Sequence, residues 1–277
     1  MFGKLNMRNA ALYAVAATTL IGAVFAVFWP GLTGDYIFDD YPNLVNDPDW
    51  KMTSLSIEQL IRTVLSGTSG LGGRPLALLS FGLNHYFAGP NPFALKSTNL
   101  AMHALNSALA FGLCDKFFAL ATPADGRVRM GRFAAWAVAL AWALHPIQLS
   151  TVLYTVQRME IGAATGTLLA LSFYLQARTR QMDGRACATW FLAAGLAGGI
   201  GLGFKETALL TPGYALLVEV FLLGFRNRHG ARSKLLVSAY AIAIAAASLF
   251  FLFAVLPAQL RPEAYAMRDF TLQQRLA

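Results

Sequence analysis

The stretch "NAALYAVAATTLIGAVFAVFWPG", residues 9–31, decides the fold. About twenty apolar residues follow Lys4 and Arg8, enough for a helix to cross a ~30 Å hydrocarbon core. The run is longer than a signal-peptide core, and no small-x-small cleavage site follows it. It reads as an uncleaved first transmembrane helix. Trp29 and Pro30 suit its far interface, where an indole sits at headgroup level.

The rest of the chain has the same character. It has 277 residues, of which 56% are hydrophobic and 13% charged, whereas a soluble domain carries about a quarter charged residues. The net charge is +8, but the basic residues stand in short clusters between apolar runs. They read as topology signals, and a nucleic-acid partner is excluded on that ground. Cys114 and Cys187 give neither a disulfide framework nor metal-ligand spacing.

Six further apolar segments follow, at about Phe93–Leu120, Phe133–Leu149, Thr151–Ala177, Ala188–Phe204, Thr207–Phe225 and Leu235–Leu256. In lipid they must be helices, because unpaired backbone is not tolerated there. The fold class is therefore all-α: a polytopic membrane bundle of about seven helices, forming one domain over residues 1–277. With Lys4 and Arg8 inside, the inner loops hold Lys116, Arg127, Arg129 and Arg132, then Arg178, Arg180 and Arg185, then Arg226, Arg228, Arg232 and Lys234. That satisfies the positive-inside rule loop by loop.

Residues 31–92 form the first outer loop, too long for a structureless connector. Within it, Leu55, Ile57, Leu60, Ile61, Val64 and Leu65 recur at helical spacing, predicting an amphipathic helix on the membrane surface. Residues 73–89 are too short to span and read as interfacial or re-entrant. The loop opens with five aspartates in "GDYIFDDYPNLVNDPDW", including the adjacent pair Asp39 and Asp40.

Ionisable groups at membrane depth are costly and face a cavity or the bundle interior. Asn99, His103 and Asn106 share one face of the second span, bonding a neighbouring helix or, for His103, a ligand. His145 and Pro146 form a tight outer turn. Thr151, Tyr154 and Arg158 are expected along one face of the fourth span. Arg158 either pairs with Glu160 or an aspartate, or holds an anion. Lys205 and Glu206 occupy the next outer turn, and Arg74 lies in "GGRPL". Carboxylates beside fixed cations at a water–lipid boundary suit chemistry on a lipid-borne anion: cations to hold phosphate, a carboxylate to take a hydroxyl proton.

Four stretches, "YIFDDYPNLVND", "GRPLALLSFGLNHYFAGPNPFALKSTNLAMHALN", "ALHPIQLSTVLYTVQRMEI" and "GFKETALLTP", occur in the order seen in a known family. The chain resembles the C-type superfamily of polyprenyl-phosphate-sugar-dependent glycosyltransferases, most of all the membrane domain of tetratricopeptide-repeat-containing O-mannosyltransferase-like proteins. The resemblance covers most of residues 30–220. It implies an inverting transfer on the periplasmic or lumenal face, from a membrane lipid carrier to a protein or glycan hydroxyl. By the match, Asp39 is the base and Asp40 orients the acceptor or the sugar. Arg74, His103, His145, Arg158, Lys205 and Glu206 fall in the matching blocks as substrate or phosphate contacts, with Glu206 holding Lys205.

Family members have more membrane helices and many continue into tetratricopeptide repeats. This sequence stops at "MRDFTLQQRLA", where Asp269 or Thr271 would cap another helix. A C-terminally truncated chain, with the repeats missing or on a partner, is the expectation, in a bacterial inner membrane with the N-terminus cytoplasmic. The aspartates offer oxygens to a divalent cation, but their spacing matches no calcium loop and no cofactor or metal is assigned. The rivals are a secondary transporter and a non-catalytic membrane subunit. A transporter site belongs near the midplane on broken helices, whereas these polar residues gather at one interface.

Overall fold

Apolar runs punctuated by proline and glycine give the chain its helices. A computed structural model describes residues 7–67, 72–121 and 128–257. Contacts divide the chain into one unit up to Val218 and a second from Glu219. Lys4 and Arg127, read above as topology signals, and the expected capping residues Asp269 and Thr271 lie outside the described residues.

In the first unit, α1 (Met7–Phe28) ends in a 3₁₀ turn, Trp29–Thr33, begun by Pro30. Its buried face is Leu20, Val24, Phe28 and Leu32, a strict four-residue repeat. These side chains meet Leu100, Ala104 and Phe111 of α4 (Pro92–Ala121) and Ala135, Ala139 and Ala143 of α5 (Val128–Ala143). Alanine at every fourth position lets α5 lie close to its neighbours, which is how helices gain van der Waals contact where lipid supplies no hydrophobic drive. Glycine does the same between α7 (Arg158–Met182) and α8 (Ala188–Phe204): a Cβ on Gly166 would run into the backbone of Gly201.

The segments 31–67 and 72–92 that follow α1 are folded. Ser56 caps α2 (Ile57–Leu65) by accepting from Gln59 N at 3.3 Å, and Gln59 reaches back to Ser54 N at 2.8 Å. Helix α3 (Pro75–Ala88) has 14 residues and buries Ala77, Leu78 and Phe81 against Leu44, Trp50 and Leu95. Thr63 of α2 turns inward against α3 at Gly82, while Ile57, Ile61 and Leu65 are 76%, 54% and 74% exposed. The apolar ridge of α2 therefore points away from the protein.

Among the described residues, four helical stretches are long and apolar enough to cross a membrane: Ala10–Thr33, Pro92–Ala121, Glu206–Leu223, which contains α9 (Thr211–Val218), and Lys234–Val255. The chain is a helical integral membrane protein. The second unit contributes α10 (Lys234–Phe250), capped by Ser233. Of the other three expected spans, α5 has 16 residues and α8 has 17, while α7 has 25 but carries charge at both ends.

One expected boundary is corrected. The fourth span does not begin at Thr151. A short α6 (Gln148–Leu153) ends at Tyr154, which is extended (φ −89°, ψ 111°), and a 3₁₀ turn, Thr155–Gln157, leads into α7. Thr151, Tyr154 and Arg158 therefore do not share a helix face.

Candidate active site

The break at Tyr154 exists because side chains take the hydrogen bonds a continuing helix would have made. Asp40 accepts from Val156 N at 2.7 Å, and Asn99 Nδ2 donates to Thr155 O at 3.1 Å. The acid loop is held to the same turn from the other side, since Asp39 N donates to the Tyr154 hydroxyl at 2.7 Å. Phe38 adopts a left-handed conformation (φ 43°), a costly one for an aromatic residue, and this lets Asp40 fold back to accept from Ile37 N at 3.2 Å.

This geometry divides the acid pair. Asp39 is exposed, and Asp40 is fully buried. Burial pushes the Asp40 carboxyl above its usual range, partly offset by the N–H groups of Val156 and Ile37. The folded chain thus takes up a proton at a pH where the unfolded chain is still ionised. The stability this contributes is fully present below the ordinary carboxylate pKa and is lost as pH rises through the raised folded value. Thermal unfolding in lipid nanodiscs of the wild type and Asp40→Asn tests this. The difference in apparent Tm is expected to move in favour of the wild type as pH falls from about 7 toward about 4. A difference that stays constant would show that burial does not perturb Asp40.

Lys96, which the sequence reading did not single out, completes the loop's anchorage. It is 3% exposed, and its ammonium donates to Gly34 O and Asp35 O, both at 2.8 Å. A lysine near the start of an apolar span was the available signal. The remaining aspartates of the loop are engaged locally: Asp47 accepts from Asp49 N at 2.9 Å, and Asp49 pairs with Arg62 at 3.0 Å. Among the described residues, no group of three or more His, Cys, Asp or Glu is placed to hold a metal ion.

A second polar group gathers at the N-termini of α3 and α7 and the turn after α8. Here the expected pairing is corrected. Lys205 pairs with Glu160 at 2.6 Å, Thr207 donates to the same carboxylate at 2.8 Å, and Glu206 pairs with Arg74 at 3.2 Å. Lys205 is extended (φ −161°, ψ 152°), so its side chain and that of Glu206 leave the backbone on opposite sides. Arg74 itself is left-handed (φ 54°), with Pro75 opening α3 behind it. Its Nε is buried without a hydrogen-bond partner.

Arg158 corrects the expectation of an anion contact. It is fully buried, and its guanidinium donates to Asn99 Oδ1 at 2.8 Å, Leu95 O at 2.8 Å and Ser80 O at 3.0 Å. It also stacks 4.4 Å over the Phe81 ring. With its donors committed inward, it stitches α3, α4 and α7 together. Asn106 likewise bonds a neighbouring helix, donating to Ile161 O at 2.9 Å and accepting from Thr165 at 2.7 Å. His103 is buried with Nε2 against Ala143 O at 2.9 Å, between the rings of Phe28 and Trp142. His145 is exposed, and its Nδ1 accepts from Ile147 N within its own turn at 3.2 Å.

The structure thus brings together Asp39, Asp40 and Tyr154 in one place, and Arg74, Glu206, Lys205 and Glu160 in another, both reached from the start of α7. Arg158 lies buried at that start, and His103 deeper along α4.

Comparison with curated proteins finds relatives of this chain. The chain is 28% identical over 219 residues to the protein O-mannosyl-transferase TMTC1 of Mus musculus, covering 75% of this chain and 22% of that relative. It is 29% identical over 202 residues to TMTC2 of Mus musculus, covering 71% of this chain and 23% of the relative. It is 27% identical over 222 residues to TMTC4 of Homo sapiens, covering 76% and 30%. All three carry the name protein O-mannosyl-transferase, in agreement with the resemblance read from the sequence. The chain spans less than a third of the length of these relatives. No family model matches it. No solved structure matches it either.

Proposed function

We propose that this chain is a membrane glycosyltransferase that moves a mannosyl group from a polyprenyl-phosphate carrier to a hydroxyl of a protein. The observation that carries the reading is the similarity to protein O-mannosyl-transferases across about three quarters of the chain; Asp39, the base in this reading, is exposed on a loop anchored by Asp40 and Lys96. The acceptor oxygen attacks the anomeric carbon as its bond to the phosphate oxygen breaks, with inversion. The hydroxyl proton passes to Asp39, and the polyprenyl phosphate leaves with the bonding electrons. Arg74 and Lys205, each about a fifth exposed, supply cations for the phosphate. Glu206 and Glu160 hold them in position.

The topology of this reading has seven spans. The basic clusters of the sequence face the cytoplasm of a bacterial cell, the acid loop faces the periplasm, and the ridge Ile57, Ile61 and Leu65 rests on the lipid surface. The test is transfer of radiolabelled mannose from polyprenyl phosphate mannose to a serine- and threonine-containing peptide by the full chain in nanodiscs. Labelled peptide is the expected result. Donor turnover with no labelled peptide would overturn the protein acceptor, and no turnover of donor at all would overturn the enzyme reading.

A further inference from the structure

A pocket of about 400 Å³ opens between α4, the end of α5, α6 and the start of α7. Its wall includes His103, Asn106, Trp142, Gln148, Thr151 and Gln157. None of these six carries a permanent charge. The one ionised side chain on the wall, Glu160, is neutralised by Lys205 and bonded by Thr207.

Gln148 is the informative member. It is 8% exposed, and among the described residues its side-chain amide has no hydrogen-bond partner. A primary amide offers two donors and two acceptor lone pairs, and those of Gln148 are open to the pocket. Gln157 and Thr151 also bring polar side chains to the wall with no bond to another described residue. The pocket therefore presents uncommitted neutral donors and acceptors beside the indole of Trp142. That combination fits a neutral polyhydroxylated ring, whose hydroxyls each donate and accept while its C–H face lies on an aromatic surface. A bare phosphate would find no free cation there.

The pocket is also joined to the candidate active site by covalent structure. Val156, whose N–H is held by Asp40, is followed directly by Gln157 on the pocket wall. Glu160, on the same wall, carries Lys205 on its other side.

We propose that this pocket binds a hexosyl group, reading its hydroxyls through Gln148, Gln157 and Thr151. The assignment of mannose as the hexose rests on the function proposed above; the presence of a sugar site does not. The same chemistry could come from the sugar of a lipid-linked donor or from a free glycan, and the experiment separates them.

The full chain in nanodiscs, prepared without glycoside detergents, is titrated calorimetrically with three probes: citronellyl phosphate mannose, citronellyl phosphate and methyl α-mannoside. Both lipid analogues partition into the disc, so each is corrected for empty discs. The mannosylated analogue is expected to bind roughly tenfold more tightly than the sugarless one, and Gln148→Leu to erase that advantage without altering the sugarless affinity. Thr151→Val, which removes one hydroxyl at nearly constant shape, is expected to weaken the mannosylated probe alone, so the proposal stays testable if Gln148→Leu does not fold. Saturable binding of methyl α-mannoside at equal affinity would support the sugar site and assign it to a free glycan. Equal binding of the two lipid analogues with no methyl α-mannoside binding, or an advantage that survives in both variants, would overturn it and leave a pocket holding water only. These readouts involve no transfer, so loss of catalytic turnover and loss of sugar binding are told apart.

Discussion

Asp39→Asn is expected to lower the rate of mannosyl transfer by about two to four orders of magnitude, the usual contribution of a positioned general base. Asparagine keeps the shape of the side chain. It also leaves the backbone bonds of this residue in place, from its N–H to the Tyr154 hydroxyl and from Asn43 to its carbonyl. The variant should therefore express and unfold like the wild type. The donor is held elsewhere in the proposed mechanism, so its KM should change little while kcat falls. Initial rates against donor concentration measure both. A variant that transfers mannose at the wild-type rate would remove Asp39 from the mechanism. The comparison with Asp40→Asn sharpens the result, because Asp40 is buried on backbone N–H groups and its loss acts on the loop as a whole.

Arg158→Ala is expected to destabilise the fold by on the order of 3–5 kcal/mol, enough to keep most of the chain from accumulating. The substitution strands Asn99 Oδ1, removes the links to the Leu95 and Ser80 carbonyls, and empties the space over the Phe81 ring. Arg158→Lys should recover little, since a single ammonium cannot reach acceptors that a planar fork meets in three directions. Arg74→Ala is the contrast. Its ion pair with Glu206 is partly exposed, and such pairs contribute about 1 kcal/mol or less, so the folded fraction should hardly change. Membrane yield and apparent Tm in nanodiscs provide the measurement. An Arg158→Ala chain as stable as Arg74→Ala would mean that the buried guanidinium is not the joint between α3, α4 and α7.

Much of this architecture is legible in the residues. Length and apolarity give α1, α4 and α10, and the helical spacing of apolar residues gives α2. Local pattern was less informative where distant groups decide the backbone. Thr151–Ala177 reads as one helix because nothing in its own sequence interrupts it; the interruption comes from Asp40 and Asn99, more than 50 residues away in the chain. The same limit applies to charge pairing. Lys205 and Glu206 look like partners because they are neighbours, yet an extended backbone sends them to Glu160 and Arg74. Lys96 was obscured by the apolar run that contains it. The aspartate pair was the reverse case: visible at once, but only burial separates the exposed carboxylate from the enclosed one.

The bond from Val156 N to Asp40 has a consequence for anyone exchanging parts between this chain and its relatives. Two segments distant in sequence share a single backbone solution, so neither is a portable module. Grafting the acid loop of another protein without the turn at 154–157 would leave an amide without its acceptor, and grafting the turn without the loop would bury a carboxylate without its donor. Chimeras that keep these two pieces from one parent preserve the joint, and those that cut between them start with a break already made.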